Sequence, residues 1–398
     1  MVVLILPVGS AHGWGNCGRG LTRELALRGD VHLIPSRPLR PDNFSSEIEF
    51  AFFASLTGRL RELTGPQENW PDRVDHPVIA GVGLSDDFLP YWKKPLGKPT
   101  VGYTFIEYGS IRPEALENAR RHFDCILTGS SWCTETLKRH GIPTGTVLQG
   151  IDPETFSPRP QHRKMLRDHF VVFSGGKFEF RKGQDLVIRA FKVLSERHRD
   201  VVLIAAWHNY SQKADVSMIG TKYLTLPPPP AEEERADYRF FVHRLLQANG
   251  VDVNRVILIP RRQQETMVSV YHETDIGLFP SRCESGTNLV LMEYMACGKP
   301  VIASWVGGHR DIVTDENALI VRSSTPVHYQ EAQSPNPPYD WDDPSLDELI
   351  EKLEWAYQNR DAVRPLGDRA ATDMSQRTWA RMAEDVESRL CGRRPLCD

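Results

Sequence analysis

The sequence has no Cys-x-x-Cys pair, no long apolar run and no excess of charge of either sign. Its seven cysteines (Cys17, Cys125, Cys133, Cys283, Cys297, Cys391, Cys397) show no paired metal spacing. That argues against a zinc ribbon or disulfide framework and for a reduced, cytoplasmic protein, with Cys391 and Cys397 near enough to pair at the terminus. No apolar stretch approaches a membrane span, and Met1 to Pro7 lacks both the length and the basic flank of a signal sequence. A formal net charge of -4 speaks against a nucleic-acid or membrane-surface binder. Also missing are a strict Gly-x-Gly-x-x-Gly fingerprint and a clear Asp-x-Asp-type metal site.

What is present organises around one stretch. Asp275 to Phe279 is a short apolar run, read as a buried parallel strand. Ser285, Gly286, Thr287 and Asn288 supply turn and N-cap chemistry, and Leu289 to Ala296 continues as a helix. Gly298 and Pro300 stop that helix, and Val301 to Ser304 begins the next strand. Glu284 stands before the turn and Glu293 just over one turn into the helix. The free N–H groups of Gly286, Thr287, Asn288, Leu289 and Val290 suit a phosphate or an oxyanion. Open α/β sheets bind ligands at such loops. The plain alternative is a βα turn carrying solvated glutamates.

Asn288 to Ser304 closely resembles the carboxylate-pair signature of retaining GT-B glycosyltransferases of the family 4, or group 1, type. It is also similar to the matching segment of trehalose-phosphate synthases, where Asn-Leu-Val precedes the second carboxylate. There is one departure. The family places seven residues between its two acids, whereas eight separate Glu284 from Glu293, and Ser285 stands where the first acid belongs. Either Gly286 permits a bulge that restores Glu284, or Ser285 replaces the acid.

Other segments fit the same resemblance. Val2 to Leu6, a glycine-rich loop from Gly9 to Gly18, a helix from Leu21 to Arg28 and a strand from Val31 to Ile34 form a βαβ opening similar to the first GT-B unit. The resemblance places Gly15 near the donor phosphates, with His12 and Asn16 on the acceptor side. His12 is otherwise a solvated loop histidine. Glu107 follows the strand Thr100 to Ile106, where the family has a histidine or acid near the transferred sugar. Val147 to Phe156 resembles the Asn-Gly-Val-Asp hallmark closing the first GT-B domain, with Gln149 in place of Asn.

In the second half, Phe170 to Lys177 ends in Gly175-Gly176 and leads into Arg181-Lys182-Gly183. Backbone N–H groups and lysines at such a turn suit a diphosphate. Lys177 and Lys182 have the family's phosphate-ligand spacing, and Arg261, with Arg262, occupies the turn that in the family contacts the nucleotide base. The alternative is a solvated basic turn. Residues 211–236 and 323–343 read as proline-containing irregular insertions, and Trp379 to Leu390 as a helix crossing back to the first domain.

The expected fold is therefore α/β of GT-B type, two Rossmann-like doubly wound domains facing a central cleft. Residues 1–157 form the acceptor side, 158–378 the nucleotide-sugar donor side, and 379–398 the returning helix. The resemblance implies front-face, retaining transfer of a hexose-type sugar from a nucleotide diphosphate, without a metal or a cofactor beyond the donor. Lys177 and Lys182 then stabilise the departing diphosphate. Glu293 holds the ribose, and Glu284 or the backbone at Ser285 and Gly286 holds the sugar. The acceptor is a glycan, small molecule, lipid or protein. Two other readings compete: a dinucleotide oxidoreductase, which leaves the lysines unexplained, and a silent binding module on the same scaffold.

Overall fold

The computed structural model describes the chain apart from residues 11, 83–86, 93, 161–163, 209–217, 219, 228–237 and 331–337. Short runs of β-branched and aliphatic residues make its strands. Most are buried on both faces, as parallel strands covered by helices must be.

The first half contains β1 (Val2–Leu6), β2 (Val31–Pro35), β3 (Val78–Gly81), β4 (Thr100–Thr104), β5 (Cys125–Thr128) and β6 (Thr144–Thr146). They form a parallel sheet in the order β2-β1-β3-β4-β5-β6. Around it lie α1 (Gly13–Arg28), α2 (Glu47–Ser55), α3 (Pro113–His122) and α4 (Ser131–Arg139). The second half contains β7 (Phe170–Lys177), β8 (Val201–His208), β9 (Val256–Leu258), β10 (Ile276–Phe279), β11 (Val301–Ser304) and β12 (Leu319–Val321). Their order is β12-β11-β10-β7-β8-β9, again parallel. Its helices are α5 (Gln184–Arg197), α6 (Tyr238–Ala248), α7 (Met267–His272), α8 (Leu289–Ala296), α9 (Leu346–Gln358) and α10 (Arg360–Ser375). The chain thus folds as two doubly wound α/β units. Each sheet reverses its winding once, between β1 and β3 and between β7 and β10, and a crevice opens at the carboxyl ends of the strands there. No described helix is long and apolar enough to cross a membrane.

α11 (Trp379–Leu390) returns to the first half, as expected. Thr378 bridges to Ile151 just before it. Trp379 covers Gly20 of α1, Arg28 donates to the Ala380 carbonyl at 3.1 Å, and Arg389 donates to the Thr146 carbonyl at 3.3 Å.

Three features differ from the sequence reading, and a fourth falls outside what the structure describes. The glycine-rich segment is not a loop: α1 starts at Gly13, with His12 as its N-cap. Its glycines serve close approach, since a Cβ on Gly15 would lie 2.4 Å from the Gly9 carbonyl oxygen and one on Gly18 2.0 Å from that of Pro7. Residues 323–343 are not simply irregular, because β13 (Ser324–Tyr329) and β14 (Tyr339–Pro344) pair antiparallel. The insertion at 211–236 falls largely outside the described residues. Finally, Cys397 pairs with Cys125 of β5, their Cα atoms 6.1 Å apart, while Cys391 stays exposed and free. The tail folds this way because Asp398 bonds to Thr144, Thr146 and Arg389.

Candidate functional site

A cleft of about 890 Å³ opens between the two sheets, at the carboxyl ends of their strands. Every residue singled out above lines it except Gly15 and Thr287. Gly15 is spent on packing and on donating its N–H to His12 Nδ1 at 2.9 Å. Thr287 turns to the first domain, where its N–H and Oγ1 lie 3.2 and 3.3 Å from Gln149 Oε1.

The loop after β10 is built around Glu284, which is 3% exposed. Its Oε1 accepts from Lys182 Nζ at 2.7 Å, Ser281 Oγ at 2.6 Å and Asn288 Nδ2 at 3.1 Å. Its Oε2 accepts from Lys182 Nζ at 2.8 Å and Arg181 at 3.2 Å. Burial alone pushes this carboxyl up, but Lys182, Arg181 and His309 outweigh it and hold the pKa down, to about 2. So many donors saturate both oxygens. Asn288 caps α8 with φ +62° in the left-handed region. Gly286 does not take a left-handed conformation. Its hydrogen is needed because a Cβ would lie 2.4 Å from Gln149 Oε1 and 2.8 Å from the Phe105 ring. Ser285 Oγ instead stands 3.5 Å from Glu107 Oε1.

Arg181 joins these acids, and sequence reasoning passed over it. It is 6% exposed, donates to the Cys283 carbonyl at 2.9 Å and to Glu179 at 3.2 Å, and its Nε lies 3.1 Å from Glu107 of the first domain. Its only signal was its place beside Lys182 in the basic turn. Lys177 points to the more open side, half-exposed, with Nζ 3.0 Å from Glu179. Deeper still, Arg282 is fully buried: it bonds Asp185 at 2.8 and 2.9 Å and Asp343 of β14 at 2.8 Å, and covers the Phe180 ring. That network fastens the loop after β10 to the hairpin.

Glu293 on α8 faces the cleft from a buried position, taking hydrogen bonds from Gln264 and, at 3.0 Å, from the Tyr271 hydroxyl. Burial pushes its pKa up to about 8, more than these donors lower it. Gln264 and Glu265 in turn receive Arg19 of α1, so this carboxylate connects to the first domain. His12 sits opposite. Burial lowers its pKa, helped by Arg37, Lys177 and Arg261, and the neutral ring accepts at Nδ1 with its proton on Nε2. Gly175 and Gly176 bring the end of β7 beside Val290 and Lys182. Among the described residues no three His, Cys, Asp or Glu side chains converge as a metal site. The one Asp-x-Asp triplet, Asp340-Trp-Asp342, lies along β14, with Asp340 bound to His328.

Residues 159–332, which carry β7 to β12, match the family model of glycosyl transferases group 1. The second half is a group 1 glycosyl transferase domain. D-inositol 3-phosphate glycosyltransferase of Corynebacterium aurimucosum is 29% identical over 253 residues, 62% of this chain and 49% of that protein. The chain spans about half the length of the curated relatives it matches. In fold, the group 1 domain and its partner together resemble sucrose-phosphate synthase from Thermosynechococcus elongatus (TM-score 0.64, 17% identity, 97% of each chain). They also resemble Anabaena HepE, solved with UDP-glucose (TM-score 0.62, 16% identity, 98% of this chain and 99% of that one). The fold is GT-B.

Proposed function

We propose that this chain transfers a hexose-type sugar, with retention at its anomeric carbon, from a nucleoside diphosphate sugar to a hydroxyl acceptor. The observation that carries this reading is Lys182, half-buried at the β7–β10 switch point and fixed by Glu284 beside the N-terminus of α8. A diphosphate bound there meets Lys182, Lys177 and the unpaired N–H groups of the helix end, which offset charge as it departs. The acceptor oxygen forms the new bond to the anomeric carbon while the bond to the phosphate oxygen breaks. That oxygen leaves with the electron pair, and the acceptor's hydroxyl proton passes to the diphosphate on the same face. No metal or further cofactor takes part in this reading.

Glu293 receives the ribose hydroxyls and Arg261 borders the base. Glu284, saturated by its own neighbours, holds Lys182 in place and leaves the sugar hydroxyls to Ser285 and the Gly286 backbone. The UDP-glucose bound by the Anabaena protein supports a uridine diphosphate hexose as the first donor to try.

The test is release of nucleoside diphosphate from UDP-, GDP- and ADP-sugars, with the product anomer read by NMR and a parallel arm in EDTA. Retained configuration and unchanged rates in EDTA are expected. Inversion, or loss in EDTA with recovery on adding Mg²⁺ or Mn²⁺, sinks the mechanism. Lys182→Ala should lower kcat/KM by about a hundredfold or more, the usual cost of losing a charge-stabilising donor.

A further inference from the structure

The hairpin β13–β14 belongs to the second half by sequence, yet it reaches across the cleft. Trp341 Nε1 donates to the Glu107 carbonyl at 2.6 Å, and the Tyr339 ring meets that of Tyr108 with centroids 6.1 Å apart. The hairpin has little freedom to swing. Trp341 stacks on Tyr329 at 5.0 Å, Tyr329 stacks on Phe180 at 5.3 Å, and Arg282 binds Asp343 beneath them. Tyr339 is thereby held as a wall of the cleft, in one apolar cluster with Phe88, Ile106 and Tyr108 of the first domain. Phe88 carries φ +50°, a conformation that strains a bulky residue and persists only where the surroundings impose it. Such strain gathers at ligand clamps.

A carboxylate interrupts this aromatic bay. The Glu107 side chain is 38% exposed and reaches Ser285 of the donor loop on one side, while its backbone joins the hairpin on the other. Its positive neighbour, Arg181, is already shared with Glu179 and Glu284. Beside Tyr339 the Glu107 carboxylate disfavours an apolar tail, which would strip water from it, and repels an anion at that wall, although Arg37 also lines the cleft from the first domain. It suits a molecule with one flat C–H face and an edge of hydroxyl donors.

We infer that Tyr339, backed by the buried Tyr108 and Phe88, forms the acceptor subsite, that Glu107 takes hydroxyls of the acceptor there, and that the acceptor is a neutral sugar or glycoside. This rests on the glycosyltransferase reading and adds the acceptor's class and a specificity role for the hairpin.

The test uses the full chain, a nucleotide sugar that it turns over, and a panel of neutral acceptors (methyl hexosides, maltose, cellobiose, N-acetylglucosamine) beside sn-glycerol 3-phosphate, a serine peptide and phospholipid vesicles. A neutral sugar should give the fastest transfer. Tyr339→Ala should raise the KM for that sugar about tenfold more than the KM for the donor, the scale of one lost aromatic contact. Tyr339→Leu, which keeps apolar bulk without the flat ring, should do the same, and Tyr339→Phe should recover most of the loss. A preference for the phosphate ester, peptide or vesicles overturns the inference, as does diphosphate release that no neutral sugar accelerates, or equal shifts in both KM values. Failure to release diphosphate from any nucleotide sugar removes the glycosyltransferase reading itself, and this inference with it.

Discussion

Glu284 and Glu293 are both buried carboxylates on one loop-helix unit, yet their surroundings push them in opposite directions. Glu284 is held down to about 2 by Lys182 and Arg181. Its ionised form stabilises the fold above the unfolded pKa of about 4.5, and that stability is lost as pH falls towards 2. Glu284→Gln strands a buried and a half-buried cation, so it should cost about 3–5 kcal/mol in urea melts as well as transfer activity. A residue that merely touched the sugar would cost activity alone. Glu293 behaves with the other sign: its pKa is raised to about 8, so its burial costs nothing below about 4.5 and the penalty grows as pH climbs to 8. Glu293→Gln should therefore flatten this part of the pH dependence and melt higher than the native chain at pH 8. Ribose hydroxyls donate and favour the ionised acid. Nucleoside diphosphate binding at pH 7 should then release a proton, measurable by calorimetry in buffers of different ionisation enthalpy, and the release should vanish in Glu293→Gln.

At the scale of elements, α8 shows how a sequence pattern becomes a site. Asn288 must do three things at once: adopt φ +62°, cap Leu291, and bond both Glu284 and His309, the last at 3.1 Å. Asn288→Ala should lose about 2–3 kcal/mol, combining left-handed strain with the lost cap. Asn288→Gly should lose less, since glycine accepts the backbone angle; equal losses in urea titrations would show that φ is not what Asn288 serves. This helix was legible because Asn288, Gly298 and Pro300 punctuate an apolar run. The hairpin was not, because Pro326 and the prolines between its strands read as loop, and the alternation of Tyr339, Trp341 and Asp343 ends in a charge whose partner, Arg282, is distant in sequence. α10 was hidden by Pro365 inside it, and the start of α1 by glycines that serve packing. Lys182 could be read from its turn. Arg181 could not, since its meaning comes from Glu107, an acid of the other domain.

The whole molecule is two sheets whose cleft is closed by contacts that no local pattern announces. Ser130 donates to the Ser285 carbonyl at 2.8 Å, the Ser131 N–H meets Asp311 at 2.9 Å, and Arg19 grips Gln264 and Glu265. The loop after β10 is thus shaped partly by the first domain. α11 is the covalent counterpart of these contacts, since it carries the chain from the second domain back to α1. Its seat depends on Gly20, where a Cβ would fall 2.3 Å from the Trp379 ring and Trp379 is itself 6% exposed. Neither the ring nor the helix backbone can yield by an ångström without lifting α11, so overpacking here should cost about 1–3 kcal/mol or more. Gly20→Val should lower the melting temperature by several degrees and enlarge the radius of gyration in solution scattering, as the returning helix loses its hold. Gly29→Ala provides the comparison, because Gly29 is extended and a Cβ there meets nothing within 4 Å. It should change neither quantity measurably. If Gly20→Val left both values at those of the native chain, α11 would be a passenger on the first domain, and the closed cleft would rest on the loop contacts alone.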